Sequence, residues 1–226
     1  MAKKKLARFE ESKSFPNLIQ AGYFDLLKDY PLKGKWAENY FGNTHPIVLE
    51  LGCGKGEYTV SLAEKNKSLN FIGIDNKGAR LWRGCKNAIE NHFDNVCFIR
   101  TKIEQIERFF APGEISEIWI TFPDPQPGSS GERKRLTSPR FLNHYKNFLK
   151  PDSIIHLKTD NTPLFEYTLE TIASQGHQLI FHSFDLYGLN LEDDASGVQT
   201  FYEKMFLEQG ISIKYLRFKL NQTQTN

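Results

Sequence analysis

Short apolar runs alternate with amphipathic stretches from residue 47 onward. The apolar runs predict five strands, at 47–51, 69–74, 96–100, 117–122 and 153–159. The stretches between and after them predict helices at about 56–66, 77–91, 102–110, 137–149 and 162–175. Because the two kinds of element alternate regularly, the pattern predicts a parallel sheet with right-handed crossovers.

This alternation changes near the C-terminus. Residues 177–188 and 211–220 are both strand-like, and the helical stretch 200–209 lies between them. Two closing strands indicate an antiparallel addition at one edge of the sheet. We therefore expect an α/β, Rossmann-like fold: a mostly parallel seven-stranded sheet with an antiparallel edge strand, and helices on both faces.

Residues 1–20 lack the alternating pattern. They open with a basic cluster of Lys3, Lys4, Lys5 and Arg8. We expect a flexible basic arm over 1–20 that becomes ordered on a partner, followed by a single domain at 21–226.

Composition narrows the class of protein. Of the 226 residues, 25% are charged and 39% are apolar, and no apolar run approaches the roughly 18 residues of a membrane helix. The N-terminus lacks the apolar core of a secretory signal, so we expect a cytoplasmic protein without a membrane anchor. The scattered Cys53, Cys85 and Cys97 predict buried, reduced thiols. The six histidines show no ligand spacing, so we predict no metal site.

Residues 46–63 carry the most informative stretch, PIVLELGCGKGEYTVSLA. An apolar strand leads into Gly52, Gly54 and Gly56, and a helical stretch follows. Strand, glycine turn and helix are typical of the start of a nucleotide-binding βαβ unit. Because glycine has no Cβ, it permits positive φ and lets backbone N–H groups approach a ligand closely.

The residues around the glycine turn favour one kind of ligand. A dinucleotide fingerprint would have a third glycine where Glu57 stands, and Glu50 lies just before the turn. Two carboxylates would repel a pyrophosphate but suit a ligand with a cationic end, such as S-adenosylmethionine. Asp75 ends the next strand, 19 residues after Gly56, where an acid commonly binds a ribose diol. The alternative is that Glu50 and Asp75 are solvated carboxylates at strand ends.

A proline-rich turn follows the fourth predicted strand. Its sequence, FPDPQP at 122–127, places Asp124 between prolines that fix φ and hold the preceding residues extended. A stiff turn holds a carboxylate in one position, as preorganised catalysis requires. Asp160 directly follows the fifth strand and is expected nearby, because ligands bind at the carboxyl ends of such strands. The alternative is a purely structural turn.

Basic residues cluster after the proline turn. The net charge of the chain is only +2, but Arg133, Lys134 and Arg135 are consecutive. They indicate either contact with the phosphates of a polyanion or a solvated face.

Five motifs, in this order and spacing, carry a family resemblance. ELGCGKG, FPDPQP, RKRL, KTDN and TFYE resemble those of the bacterial tRNA (guanine-N7)-methyltransferases, and the resemblance covers about residues 12–220. Many methyltransferases share the glycine turn, whereas FPDP followed by TDN and TxYE is far more specific. The resemblance implies a class I methyltransferase fold, S-adenosylmethionine as methyl donor, and N7 of a guanine in the variable loop of tRNA as the target.

The resemblance also implies roles for single residues. Glu50 and Asp75 match donor contacts beside the three glycines of the turn, and Asp124 matches the catalytic acid. The positions that match substrate contacts are Asp160, Thr200, Phe201, Tyr202 and Glu203.

The chain departs from the family pattern at two places. Members often carry an acid after the third strand, on the adenine side of the donor, and here that place falls on Lys102. Many members also have Trp and basic residues after FPDP, whereas this chain has Gln126 and then Gly-Ser-Ser-Gly. Some of the positive charge offered to RNA therefore falls on the triplet at 133–135.

The chemistry of guanine N7 fits these residues. N7 has an in-plane lone pair and no proton, so it attacks a methyl carbon without a general base. The product is cationic, and a nearby carboxylate stabilises charge that grows in the transition state. Glu203 and Asp160 are candidates to accept from the N1–H and N2–H₂ edge. Phe122, Phe201 and Tyr202 could flank an extruded base, although we expect two of these rings to be core.

Three alternatives are open at the level of sequence. One is a methyltransferase that acts on another RNA, a protein or a small molecule. A second is a nicotinamide dehydrogenase, against which Glu57 and the missing third glycine argue. A third is a non-catalytic RNA-binding module, against which Asp75 and Asp124 argue. We expect a monomer or a homodimer.

Overall fold

The strands of the chain form one sheet. The structure is a computed structural model and describes residues 2–22, 24–189, 191 and 193–221. The strands in this part of the chain are β1 (Leu18–Ile19), β2 (Ile47–Leu51), β3 (Asn70–Asp75), β4 (Val96–Arg100), β5 (Ile115–Thr121), β6 (Leu149–Thr159), β7 (Gln178–Ser183) and β8 (Lys214–Lys219). Their order across the sheet is β1-β4-β3-β2-β5-β6-β8-β7.

One strand runs against the others in this sheet. The pairs from β1 to β6 are parallel, and β8 is antiparallel to both of its neighbours, β6 and β7. The predicted mostly parallel sheet with an antiparallel addition at one edge is confirmed. Two details were not predicted. β8 lies between β6 and β7, so that β7 forms the edge of the sheet, and the two-residue β1 adds an eighth strand to the predicted seven.

Helices cover both faces of the sheet. They are α1 (Ala2–Ser12), α2 (Glu57–Lys65), α3 (Gly78–Glu90), α4 (Pro139–Lys146), α5 (Thr162–Ser174), α6 (Asp194–Gly197) and α7 (Phe201–Glu208). In the central β2, Leu49 belongs to the buried cluster on one face and Val48 to the cluster on the other. Because β2 is buried on both sides, it reads as a continuous apolar run rather than an alternating one.

The segment predicted as a helix at about 102–110 is helical but short. It forms a 3₁₀ helix over Ile103–Arg108 and not an α-helix. The residue before it, Lys102, makes no side-chain cap hydrogen bond, and Pro112 and Gly113 follow closely. A stretch this short with no N-cap gains too little from helical hydrogen bonds to extend as an α-helix.

The N-terminal residues, expected to form a flexible arm, are helical and lie against α3. Glu11 accepts hydrogen bonds from Trp82 Nε1 at 2.8 Å and from Lys86 Nζ at 2.9 Å. The Arg8 guanidinium lies 4.6 Å from the centroid of the Trp82 ring. β1, also within 1–20, pairs with β4, so this segment contributes directly to the sheet. The side chains of Lys3, Lys4 and Lys5 lie outside the part that the structure describes.

Candidate active site

The loops after four neighbouring strands meet at one edge of the sheet. The glycine turn follows β2, Asp75 ends β3, the proline turn follows β5, and Asp160 follows β6. These strands are adjacent in the order β3-β2-β5-β6, so their carboxyl ends lie side by side. A cleft opens there, and its lining residues are Glu50, Gly52, Cys53, Gly54, Lys55, Glu57, Tyr58, Arg80, Thr121, Phe122, Thr200 and Tyr202.

The glycine turn adopts a backbone conformation that favours glycine. Gly52, Gly54 and Gly56 have φ angles of 76°, 57° and 70°. A Cβ on Gly54 would meet nothing within 4 Å, so its backbone faces open space. A Cβ on Gly56 would lie only 2.4 Å from Phe98 Cε1. Gly54 therefore borders the ligand space, whereas Gly56, predicted as a donor contact, is required by packing against Phe98.

Glu50 is a buried carboxylate with defined partners. It is 4% exposed. Its Oε2 accepts from the Thr59 N–H at 2.8 Å and from the Thr59 hydroxyl, and its Oε1 accepts from the Thr121 hydroxyl at 2.6 Å. Burial outweighs these hydrogen bonds and raises the pKa of Glu50 to about 7. The alternative interpretation, a solvated carboxylate at the strand end, is wrong for this residue.

Asp75 braces the glycine turn from the neighbouring strand. The Gly54 N–H donates to Asp75 Oδ2 at 3.0 Å, and the Lys77 N–H donates to Oδ1 at 2.7 Å. Asp75 is largely buried. Each carboxylate oxygen accepts more than one hydrogen bond, so Asp75 can hold Gly54 and still accept from a ligand hydroxyl.

Lys102 is not brought into the cleft. It follows β4, which β3 separates from β2, and its side chain is exposed just before the 3₁₀ helix Ile103–Arg108. It is absent from the residues that line the cleft. Its assignment as a donor contact therefore stays a prediction.

The proline turn is held in an unusual conformation by its surroundings. Phe122 and Gln126 have φ angles of 47° and 46°, which residues other than glycine rarely adopt. Arg135 Nε donates to the carbonyls of Pro125 and Gln126, each at 3.3 Å. Asp124 is exposed, and its Oδ1 accepts from the Gln126 N–H at 3.2 Å. A braced backbone thus presents the Asp124 carboxylate to solvent.

The basic triplet after the proline turn divides into two roles. Arg133 and Lys134 are exposed, at the end of a 3₁₀ segment, Ser129–Lys134. The Arg135 guanidinium instead lies 4.2 Å from the centroid of the Tyr167 ring and braces the turn. Two of the three predicted phosphate contacts therefore face solvent, and the third supports the position of Asp124.

Glu203 lies at the centre of a buried network. It has no exposed surface, and its Oε1 is 2.7 Å from Lys158 Nζ and 2.6 Å from the Tyr187 hydroxyl, which donates to it. Its Oε2 accepts from the Thr200 N–H at 3.2 Å, and its own N–H donates to Thr200 Oγ1, which forms a capping box at the start of α7. Because both oxygens are occupied and buried, the structure does not support Glu203 as the reader of a guanine edge.

The aromatic residues of α7 are more exposed than predicted. We expected two of Phe122, Phe201 and Tyr202 to be core, and this is wrong: Phe201 is 59% exposed and Tyr202 is 51% exposed. Phe122 is the partly buried ring of the three. It packs on Phe206, and the centroids of the two rings are 6.0 Å apart. The exposed pair stands at the mouth of the cleft, which Tyr202 lines.

Asp160 occupies a fixed place between β6 and α5. Lys214 Nζ donates to its backbone carbonyl at 3.0 Å, and the next residue, Asn161, caps α5 by accepting from the Leu164 N–H at 2.8 Å. The side chain of Asp160 is partly exposed. Neither Asp160 nor Asp124 lines the cleft itself, so both carboxylates lie outside the space bounded by the glycine turn.

Comparison with known proteins assigns this chain to a family. A family model described as a methyltransferase matches residues 44–216. A protein of Christiangramia forsetii named tRNA (guanine-N(7)-)-methyltransferase is 54% identical over 221 residues, which are 97% of this chain and 99% of that protein. One of the same name from Bacteroides thetaiotaomicron is 47% identical over 223 residues, which are 98% of this chain and 88% of that protein. The chain belongs to the tRNA (guanine-N7-)-methyltransferase family.

Solved structures agree on the fold of this family member. An antibiotic-related methyltransferase has a TM-score of 0.61 at 18% identity, with 84% of this chain and 95% of that chain covered. The 16S rRNA methyltransferase KamB has a TM-score of 0.61 at 16% identity, with 81% and 92% covered. Identities this low carry the fold alone, and they confirm the predicted Rossmann-like class I methyltransferase fold.

The sequence did not identify several residues that support the site. Thr59 and Thr121 donate hydrogen bonds to Glu50, but an isolated threonine is too common in sequences to predict such a role. Lys158 does carry a signal, since it lies within the apolar run of β6. A lysine is almost never fully buried unless it is paired, so its position predicts a buried partner without saying which one.

A larger cavity lies away from the glycine turn. Its volume is about 640 Å³, and it is bordered by Lys65 and by residues of the segment 186–199. The cleft at the turn is smaller, at about 110 Å³. The open backbone of Gly54 and the Glu50 carboxylate belong to the smaller cleft and not to the larger cavity.

Two further predictions concern the chain as a whole. Cys53, Cys85 and Cys97 are free and buried, as predicted, and burial raises the pKa of Cys97 to about 12. Within the described residues, no helix is both long enough and apolar enough to span a bilayer.

Proposed function

We propose that this chain transfers a methyl group from S-adenosylmethionine to N7 of a guanine in the variable loop of tRNA. The observation that carries the proposal is near full-length similarity: 54% identity over 97% of this chain to a protein named for tRNA guanine-N7 methylation. The cleft at the carboxyl ends of β2 and β3 supports it, because it has the position and the residues of a donor site.

The cleft fits the donor on three counts. The backbone of Gly54 faces open space, Asp75 retains lone pairs for a ribose hydroxyl beyond those it gives to backbone N–H groups, and Glu50 supplies negative charge. When bound, S-adenosylmethionine supplies a methyl group on a positively charged sulfur. A neighbouring cation favours the ionised form of Glu50, whose pKa of about 7 leaves it close to titration.

Guanine N7 requires no base to react. The bond between N7 and the methyl carbon forms as the carbon–sulfur bond breaks, and the electron pair of that bond stays on sulfur. The positive charge moves from sulfur to the guanine ring, and no proton enters or leaves N7. The protein must therefore orient the base and stabilise the new charge.

Asp124 is the carboxylate that we assign to this charge. Its turn follows β5, directly beside the glycine turn that follows β2, and Arg135 braces the backbone on which it stands. A carboxylate fixed before the reaction does not have to reorganise when the charge appears. Asp160, after the adjacent β6, takes the guanine edge in place of Glu203, which is buried.

The RNA backbone is assigned to the exposed basic residues. Arg133 and Lys134 lie after the proline turn and face solvent, where they can neutralise phosphates close to the target nucleotide. The proposed substrate and the reduced, buried cysteines support a cytoplasmic location.

Identification of the methylated nucleoside tests the proposed function. The protein is incubated with labelled S-adenosylmethionine and tRNA, and the RNA is then digested to nucleosides. We expect the label in 7-methylguanosine, and chemical cleavage at the methylated base should map it to the variable loop. Label in another nucleoside would contradict the target, and binding of tRNA without any label would favour the non-catalytic RNA-binding alternative.

A further inference from the structure

The cationic side chain of Lys55 lies beside the exposed aromatic pair at the start of α7, and its Nζ is also 3.9 Å from Glu57 Oε1. Lys55 Nζ lies 5.3 Å from the centroid of the Phe201 ring and 5.9 Å from that of the Tyr202 ring. Both distances fall within the roughly 6 Å over which a ring attracts a positive charge. The two rings meet edge to face, with centroids 5.8 Å apart, so together they form a corner that attracts positive charge.

This aromatic corner is fixed against the cleft. Glu57 Oε2 accepts from the Phe201 N–H at 3.0 Å, which ties the start of α7 to the helix that follows the glycine turn. Lys55 and Tyr202 line the same cleft as Gly54. From the other side, the buried pair of Glu203 and Lys158 holds α7 against β6. The corner therefore stands at a defined place beside the proposed donor site.

Charge is the property that links the aromatic corner to the reaction. Guanine is neutral before transfer, and its ring is cationic once the N7–methyl bond has formed and the carbon–sulfur bond has broken. The attraction of the rings to the guanine is therefore weak in the ground state and strengthens as positive charge develops on the base in the transition state. Interactions that strengthen along the reaction accelerate it.

We propose that Phe201 and Tyr202 are catalytic residues whose rings stabilise the positive charge that develops on the target guanine. The inference rests on the proposed function and deepens it. The Lys55 side chain is long and 47% exposed, so it can move aside when a base approaches the rings. Asp124 and the aromatic corner then stabilise the same charge, one as an anion and the other through ring faces.

Binding measurements with two modified RNAs separate charge from shape. One tRNA hairpin carries 7-methylguanosine at the target position, and its twin carries 7-methyl-7-deazaguanosine, which has the same shape but no charge. Without any methyl donor and at mildly acidic pH, the wild-type protein should bind the cationic hairpin more tightly by about 2- to 30-fold. Both rings are exposed, so their replacement leaves the core intact.

The variants locate the preference. Phe201→Leu and Tyr202→Leu should each reduce the ratio of the two affinities, whereas Tyr202→Phe keeps a ring and should preserve it. Phe184→Leu replaces another exposed aromatic residue, 45% exposed and packed on Phe165, and should also preserve the ratio. The same Leu variants should lower the single-turnover methylation rate at saturating tRNA.

Two results would overturn the inference. In one, wild-type protein binds both hairpins equally; in the other, the ratio of the two affinities is as large in both Leu variants as in the wild-type protein. The unmodified hairpin serves as the check on the proposed function. If wild-type protein methylates it at N7 but shows no preference for the cationic hairpin, the role of the aromatic corner fails while the proposed function stands.

Discussion

At the scale of single residues, burial gives Glu50 a chemistry that the exposed carboxylates lack. Asp124 and Glu50 are both acids near the proposed donor site, but Glu50 is enclosed by Thr59 and Thr121 and Asp124 faces solvent. Desolvation penalises the charged form. Glu50 therefore titrates close to neutrality, with a pKa of about 7.

The raised pKa of Glu50 makes the stability of the fold depend on pH. Its folded value of about 7 exceeds the unfolded value of 4.5, so the folded state binds a proton that the unfolded state releases. The stabilisation is present below pH 4.5 and is lost as pH rises through 7, a change of about 3 kcal/mol. Glu50→Gln stays neutral, so its unfolding free energy should gain that amount relative to wild type across the window.

Urea unfolding of wild type and Glu50→Gln at a series of pH values measures this difference. Glu64→Gln, on the exposed side of α2, is the matched control and should follow wild type at every pH. A wild-type-to-variant difference that stays constant from acidic to neutral pH would contradict a Glu50 carboxyl whose pKa burial raises to about 7.

Asp124 should act on the transition state alone. If its carboxylate stabilises charge that appears only at transfer, Asp124→Asn should lower kcat by about 10²–10³, as for other preorganised electrostatic groups. The KM for tRNA and the affinity for S-adenosylhomocysteine should change little. Single-turnover rates at saturating tRNA make the measurement, with Asp94→Asn as the control; a wild-type rate in Asp124→Asn would reduce the proline turn to a structural feature.

At the scale of elements, hydrophobic periodicity predicted β2 to β6 and the helices between them, because each buries a continuous or one-sided apolar surface. It missed β1, whose two residues are too few to show a period and gain their place only by pairing with β4. It also could not assign Glu203. The TFYE motif singles out Glu203, but its buried partner Lys158 lies in another element, β6. Pairing between residues of different elements leaves no local sequence pattern.

The pair of Lys158 and Glu203 should dominate the stability of the junction between β6 and α7. Lys158→Met leaves the Glu203 carboxylate buried and unpaired, which costs about 3–5 kcal/mol. Adding Glu203→Gln removes that charge and should restore part of the loss, so the double variant should be more stable than the Lys158→Met single variant. Urea unfolding of Lys158→Met, Glu203→Gln and the double variant measures this; strictly additive losses would contradict a coupled ion pair.

At the scale of the whole molecule, the modest net charge of +2 conceals an uneven distribution. Exposed positive charge lies beside the proline turn, on Arg133 and Lys134, whereas Arg135 is committed to bracing that turn. RNA binding and catalytic geometry are therefore assigned to different members of one basic triplet.

Salt dependence separates these two tasks. Arg133→Ala or Lys134→Ala should each flatten the log–log slope of tRNA affinity against salt by about 0.7–0.9 and weaken binding. Arg135→Ala should instead lower the transfer rate at saturating tRNA, because the proline turn loses its brace. If the double variant Arg133→Ala/Lys134→Ala keeps the wild-type slope of tRNA affinity against salt, these residues do not contact phosphates and only form a solvated face.

The most direct test of the whole account is methyl transfer to tRNA transcripts that differ only at N7. In one transcript the variable-loop guanine is intact, and in the other it is 7-deazaguanine, which keeps the Watson–Crick edge but replaces N7 by carbon. We expect both transcripts to bind with similar affinity and only the first to accept a labelled methyl group. Equal labelling of both transcripts would contradict methylation at N7.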